Sequence, residues 1–157
     1  MNETYLTRAG YEKLADDLKA LKKHRTELSK EIEEAREKGD LKENAEYHAA
    51  KERQAEILRR IQEIEEKLRK AQLIDEIKVE KDKVQIGVKV TLLESDSNEE
   101  FEWTLVGPEE SDPVSGRISV YSPLAQGILG HKVGEKVQVA LPAGSKTFKI
   151  VKTEPAL

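Results

Sequence analysis

Residues 25–61 read RTELSKEIEEAREKGDLKENAEYHAAKERQAEILRRI, and the fold turns on this stretch. In its first half Arg25, Leu28, Ile32 and Ala35 follow one another at steps of 3, 4 and 3. In its second half Tyr47, Ala50, Gln54, Ile57 and Ile61 repeat the same rhythm. Working outward, the first run reaches back through Leu21, Leu18 and Leu14 to Tyr11, and the second runs on through Ile64 and Leu68 to Ala71. An average step of about 3.5 is the seam of a left-handed coiled coil. Arg25 and Gln54 are the polar members, which loosen a seam locally or fix its register. The two runs are separated by Lys38-Gly39-Asp40-Leu41-Lys42. Gly39 is a natural helix terminator because it tolerates left-handed backbone. A short break between two seams predicts an antiparallel helical hairpin. Thr7 is placed to cap the first helix, and each helix is about 30 residues, or about 45 Å at 1.5 Å per residue.

Charge and backbone punctuation divide the chain in two. Residues 1–76 hold 17 Lys and Arg with 19 Asp and Glu, whereas residues 77–157 hold 10 and 12. Gly10 and Gly39 are the only glycines of the first part, which has no proline; the second has seven glycines and all five prolines. These shifts predict a helical-hairpin domain over 1–76 and a second domain over 77–157, with the boundary near Asp75 to Lys83. In the second part, Val84–Leu93, Phe101–Val106, Arg117–Tyr121, Lys136–Leu141 and Thr147–Val151 read as strands. Asp96-Ser97-Asn98 and Pro142-Ala143-Gly144 read as turns. Pro123–Leu129 reads as one short helix with Ser122 as its cap. The expectation is a small α+β domain, a curved antiparallel sheet with one helix and no catalytic constellation. His131 lies between Gly130 and Lys132, as expected of a surface loop residue.

Composition excludes several classes. There is no cysteine, so disulfides, thiolate metal sites and cysteine nucleophiles are absent, which fits a reducing cytoplasm. The opening MNETYLTRAGYE does not have the pattern of a secretory signal, and no stretch is long and apolar enough to span a bilayer. A net charge of −4 is not suited to holding bare duplex nucleic acid by bulk charge. Nucleic-acid contact must come from a local patch or through a protein partner.

Chemistry is concentrated at the break between the helices, Gly39 to His48. Asp40 and Glu43 are three apart at a helix start and can share a face. Asp-x-x-Glu is there a variant of the capping box. On an exposed tip the same pair is also two rigidly presented carboxylates. Two carboxylates supply part of a Mg²⁺ shell but cannot complete its octahedron. The partial positive charge of a helix start also opposes a cation. The pair therefore makes sense as half of a composite site, such as two-metal phosphodiester hydrolysis requires.

The run from Glu34 to Lys51, EAREKGDLKENAEYHAAK, resembles the tip of the Gre transcript-cleavage factors, and is most similar to their GreA branch. Leu6-Thr7-Arg8-Ala9-Gly10-Tyr11 resembles their opening, and the stretch from Ser122 to Gly130, SPLAQGILG, their C-terminal signature. The resemblance implies an antiparallel coiled coil followed by a domain of FK506-binding-protein-like fold. It implies that the globular domain docks on the rim of the RNA polymerase secondary channel. The hairpin then reaches the active centre, where backtracked polymerase has extruded the RNA 3′ end. There the tip acids help the polymerase bind its second Mg²⁺ and orient the attacking water; no metal is expected on the isolated protein. On this reading Asp40 and Glu43 are the catalytic and metal-binding acids, and Ser122 and Pro123 lie in the polymerase-docking loop. Arg36, Lys42 and Lys51 either hold RNA phosphates or form a solvated surface paired with neighbouring acids. Glu46 reads as a surface acid and Tyr47 as a packing residue. Gln126 stands where the family often has arginine, which removes any charge contact from that position.

Three other readings are open. A Gre-like inhibitor occupies the same channel without promoting cleavage, but is expected to differ at the tip by acidic clusters. A prolyl isomerase needs an aromatic-lined pocket, and the second domain offers only Phe101, Trp103, Tyr121 and Phe148. A coiled-coil adaptor predicts an oligomer, whereas an intramolecular hairpin predicts a monomer.

Overall fold

The computed structural model describes residues 4–37 and 45–156. Strand β1 spans Thr4–Leu6, and helix α1 follows over Arg8–Glu37. Thr7 caps that helix as its sequence predicts: its hydroxyl accepts the Gly10 backbone N–H at 3.0 Å, satisfying one of the N–H groups a helix start leaves unpaired. Helix α2 spans Ala45–Arg69. By contacts the chain forms two units, Tyr11–Lys70 and Met1–Gly10 with Ala71–Leu157.

The helical unit is built on the two seams. Leu28, Ile32, Ala50, Ile57 and Ile61 form one buried cluster, with Leu18, Leu21 and Tyr47 packed against it. Every seam position is buried or half-buried, and nearly every position between them is exposed. The helices run antiparallel: Ser29 of α1 meets Gln54 of α2 at 3.4 Å, and Glu31 meets the earlier Arg53 at 3.8 Å. The polar seam residue Gln54 thus donates its amide to a side chain of the opposite helix. Such a pair is satisfied in one register only, which gives the polar seam position a specifying role. The break at Gly39 lies outside the described residues.

The second unit opens with a contact that sequence period did not reveal. Strand β2, Ala71–Leu73, pairs in parallel with β1, in the register Thr4↔Ala71 to Leu6↔Leu73. Leu6 and the following Ile74 are fully or almost fully buried there. A division after residue 76 assigns both strands to the hairpin; by contacts they belong with the globular unit.

The main sheet contains β3 (Val88–Glu94), β4 (Glu100–Val106), β5 (Arg117–Ser119), β6 (Lys136–Leu141) and β7 (Gly144–Pro155), in the order β5-β4-β3-β7-β6. Helix α3, Pro123–Ile128, lies between β5 and β6 in sequence. The core comprises Val90, Leu92, Leu105, Phe148 and Ile150 from the strands with Ala125 and Ile128 from α3. Alternation explains it: β3 reads buried at Val88, Val90, Leu92 and Glu94 and half-exposed between them.

Two expectations are corrected. The sheet is mixed, because β4 and β5 pair in parallel, Thr104↔Arg117 to Val106↔Ser119. Two proline-led 3-10 turns, Pro108–Glu110 and Pro113–Ser115, carry the chain back so that β5 runs alongside β4 in the same direction. The strand read from Val84 begins instead at Val88, because Gly87 has φ +85° and turns the backbone. Val84 remains buried, exchanging backbone hydrogen bonds with His131 and Gly130. Gly107 explains how β1 fits beside this crossover: a Cβ there would lie 1.9 Å from the Tyr5 carbonyl oxygen.

Candidate functional site

Of the tip residues, Asp40, Lys42 and Glu43 lie outside the described residues. Arg36 is exposed in the last turn of α1, and Glu46 is exposed in the first turn of α2. Tyr47 is half-buried against the hairpin cluster, so it packs. The Lys51 ammonium stands 5.9 Å from the centre of the Tyr47 ring, at the outer limit of a cation–π contact. The His48 ring meets the same tyrosine edge-on, with centroids 5.5 Å apart. Lys51 is thereby an exposed cation near an aromatic ring. Arg36 and Lys51 are on the two helices that flank the tip.

Below the tip the seam closes on small residues, Ala35 and Ala50, which are 6% and 3% exposed. The shallow groove there, about 480 Å³, is lined by those alanines together with Glu31, Glu34, Glu46 and Arg53. Arg53 lies 3.8 Å from Glu31, so the groove carries an internal ion pair and an excess of acid. Among the described residues no group of three or more histidines and carboxylates is placed to hold a metal. No helix among them is long and apolar enough to cross a membrane.

The second candidate region is the start of α3. Ser122 is its cap as predicted, its hydroxyl accepting the Ala125 N–H at 3.3 Å, and Pro123 occupies the first turn. Pro123 is exposed and Ser122 half-buried. Gln126 donates its side-chain amide to the Val120 carbonyl at 2.7 Å, turning back onto the loop. His131 faces Glu135, with Nδ1 3.0 Å from Oε2. The same carboxylate oxygen accepts the Lys132 backbone N–H at 2.7 Å. That backbone bond, followed by His131, holds the Glu135 carboxyl below its ordinary range. His131 thus closes a loop.

Comparison with known proteins covers both units. A family model described as Transcription elongation factor, N-terminal, matches residues 4–73, and one described as Transcription elongation factor, GreA/GreB, C-term, matches residues 79–155. The chain belongs to the GreA/GreB family. It is 46% identical over 153 residues to the Transcription elongation factor GreA of Nautilia profundicola, covering 97% of this chain and 94% of that one. It is 46% identical over 155 residues to the protein of the same name from Caulobacter vibrioides, covering 98% and 99%. The crystal structure of the GreA factor homolog 1 (Gfh1) protein of Thermus thermophilus aligns over 98% of this chain and 99% of that one, at 30% identity and a TM-score of 0.45.

In this GreA/GreB member, sequence reasoning missed one set of anchoring residues. The start of α1 is held by carboxylates remote in sequence: Glu110 accepts the Thr7 N–H at 2.9 Å and also the Thr7 hydroxyl, and Asp75 accepts the Arg8 N–H at 3.0 Å. Both place negative charge at a helix N-terminus, where the dipole favours it. No local motif announces them, because the partners are 67 and 103 positions away.

Proposed function

We propose that this chain is a bacterial transcription elongation factor that binds RNA polymerase and promotes cleavage of backtracked RNA. On this reading the globular unit docks on the rim of the secondary channel through the Ser122–Pro123 loop. The hairpin enters the channel and presents Asp40 and Glu43 beside the extruded RNA 3′ end, with Arg36, Lys42 and Lys51 placed to contact its phosphates. The protein has no catalysis of its own; it acts in the cytoplasm, as a monomer.

Family membership across both units carries the proposal, and the shape of the helical unit supports it. Helices of 30 and 25 described residues give an arm of roughly 40 Å at 1.5 Å per residue, long enough to reach a buried centre. The tip acids are hard oxygen donors of the kind Mg²⁺ takes, and two of them leave positions for water and phosphate. Asp40 and Glu43 would help hold a Mg²⁺ shared with the polymerase, which when bound would supply Lewis-acid chemistry to the water and the scissile phosphate. What this chain would supply is two carboxylates, Asp40 and Glu43, that add ligands and accept a hydrogen bond from the attacking water.

The test is cleavage in a stalled, backtracked elongation complex with Mg²⁺, comparing this protein with its Asp40→Ala/Glu43→Ala variant. Release of short 3′ RNA by the native chain and not by a variant that still binds polymerase is the expected result. Binding without cleavage by the native chain identifies an inhibitor instead. Absence of binding refutes the proposal and returns the hairpin to an adaptor role.

A further inference from the structure

The hairpin of β6 and β7 carries a charge that the rest of its unit does not. Residues 136–152 hold four lysines and no Asp or Glu, whereas the remainder of residues 77–157 holds six Lys and Arg and twelve Asp and Glu. A cationic segment on an otherwise acidic unit creates a local field of opposite sign to the net charge. Strand alternation sorts these lysines by face. Val137, Val139, Phe148 and Ile150 are buried in the core, so the alternate positions Lys136 and Lys149 stand on the opposite, exposed face. Lys152 joins them, because the register shift in β3 sets it opposite Thr91, as Lys149 is opposite Leu93. Lys146 is on the core side, where its ammonium lies 3.5 Å from the Glu94 carboxylate.

Lys136 and Lys149 are direct cross-strand partners, and like charges directly opposite destabilise a strand pair. Neither is ion-paired among the described residues, whereas Lys152 lies 3.9 Å from Glu154. Repulsion left uncompensated within the chain is relieved by an external anion. Gln138 and Thr147, paired with each other on the same face, add an amide and a hydroxyl. Lysines with such donors are the set that holds phosphate oxygens. A carboxylate partner is met better by the two-pronged fork of arginine, and residues 136–152 contain none. Their one aromatic, Phe148, is buried, so bases find no stacking platform and a strand is held by its backbone. Across β3 the same face turns acidic at Glu100 and Glu102, which confines the anion to β6 and β7. We infer that the exposed face of the β6–β7 hairpin is a nucleic-acid contact separate from the helical tip, in which Lys136, Lys149 and Lys152 hold the phosphate backbone of single-stranded RNA without reading its sequence. The phosphate chemistry stands on this face alone; the choice of RNA as the strand rests on the proposed function.

The experiment uses the full chain without polymerase, so that its failure and a failure of the cleavage assay are distinguishable. Isotope-labelled protein is titrated at low ionic strength with a single-stranded oligoribonucleotide, and amide shifts are followed by NMR. Shifts are expected at Lys136, Gln138, Thr147, Lys149 and Lys152. Lys136→Glu places opposite charges across the strand pair, so its Trp103 fluorescence midpoint is expected at or above the native one, while the affinity read at these amides falls about 10-fold. Lys149→Gln is expected to lower the slope of log affinity against log salt by about 0.7, the loss of one single-strand phosphate contact. Lys81→Glu, the same charge change outside the strip, is expected to bind as the native chain does. The same sequence as DNA is expected to bind equally, since phosphate is the group held. Shifts absent from residues 136–152 overturn the inference. So does equal weakening by Lys81→Glu, which would reduce the effect to net charge, and so does a polyglutamate peptide that shifts the same amides as tightly, which would assign the face to an acidic protein segment. Should Lys136→Glu lose the globular melting transition, Lys149→Gln decides: a reduced salt slope supports the inference and an unchanged one refutes it.

Discussion

Asp40 and Glu43 show how far a residue pair can be read without a partner molecule. Their spacing in the sequence suits a capping pair and a pair of carboxylate ligands equally well, so spacing alone leaves both roles open. The resemblance from Glu34 to Lys51 is the ground for proposing the carboxylate role. Chemistry offers the test. Asn is as good an N-cap as Asp, but a carboxamide is a poor Mg²⁺ ligand beside a carboxylate. Asp40→Asn with Glu43→Gln is therefore expected to leave the hairpin's helical melting unchanged. Transcript cleavage should meanwhile fall by roughly 100-fold, the scale on which removing a positioned catalytic group acts. Full cleavage by that variant would assign the pair to capping only. Thr7 and Ser122 were legible as caps because the signal is a single small hydroxyl before a helix. Glu110 and Asp75, which hold the same helix start, were not.

At the level of elements, legibility followed length. The hairpin seams repeat over many turns, and each seam residue falls where the 3.5 period puts it. Strands β1, β2 and β5 are three residues each; the first two are too short for a period of two to register, and of β5, read as Arg117–Tyr121, only the parallel pairing was not legible. Two of them pair across the entire hairpin, and the third pairs in parallel after a crossover. Seam and surface should respond differently to truncation. Ile61 is 1% exposed and Leu58, on the same helix, 41%. Ile61→Ala is expected to cost about 3 kcal/mol and Leu58→Ala no more than about 0.5 kcal/mol, read as shifts of helical melting by circular dichroism. Equal effects would mean that the helices do not pack on this seam.

The loop from His131 to Glu135 gives a pH dependence of known sign. The Glu135 carboxyl is held low in the folded chain, so its contribution is present above the ordinary glutamate range and is lost as pH falls through the lowered value. Amide exchange at Lys132, whose N–H binds that carboxylate, is expected to accelerate at the acid end relative to base-catalysed trends. Glu135→Gln should remove this pH step. A native protein whose Lys132 protection is flat with pH would contradict it.

At the scale of the whole molecule, the described residues form two separate buried clusters, one per unit. Two cores that share no member need not melt together. Trp103, the single tryptophan, packs on the globular core, while the hairpin dominates the helical signal. Ile61→Ala is accordingly expected to lower the circular-dichroism midpoint and leave the Trp103 fluorescence midpoint in place. Parallel shifts of both would show one cooperative unit.

The pairing of β1 with β2 has a consequence for how such a chain can change. The two strands lie side by side, and the hairpin is everything between them. It leaves the globular unit and returns to the spot it left, a detour with fixed endpoints. Equal numbers of residues can be taken from both helices without moving those endpoints. Removing seven from each keeps the seam in phase and shortens the arm by about 10 Å at 1.5 Å per residue. The hairpin is in this sense a ruler marked in heptads, adjustable in length while the sheet that carries it stays as it is.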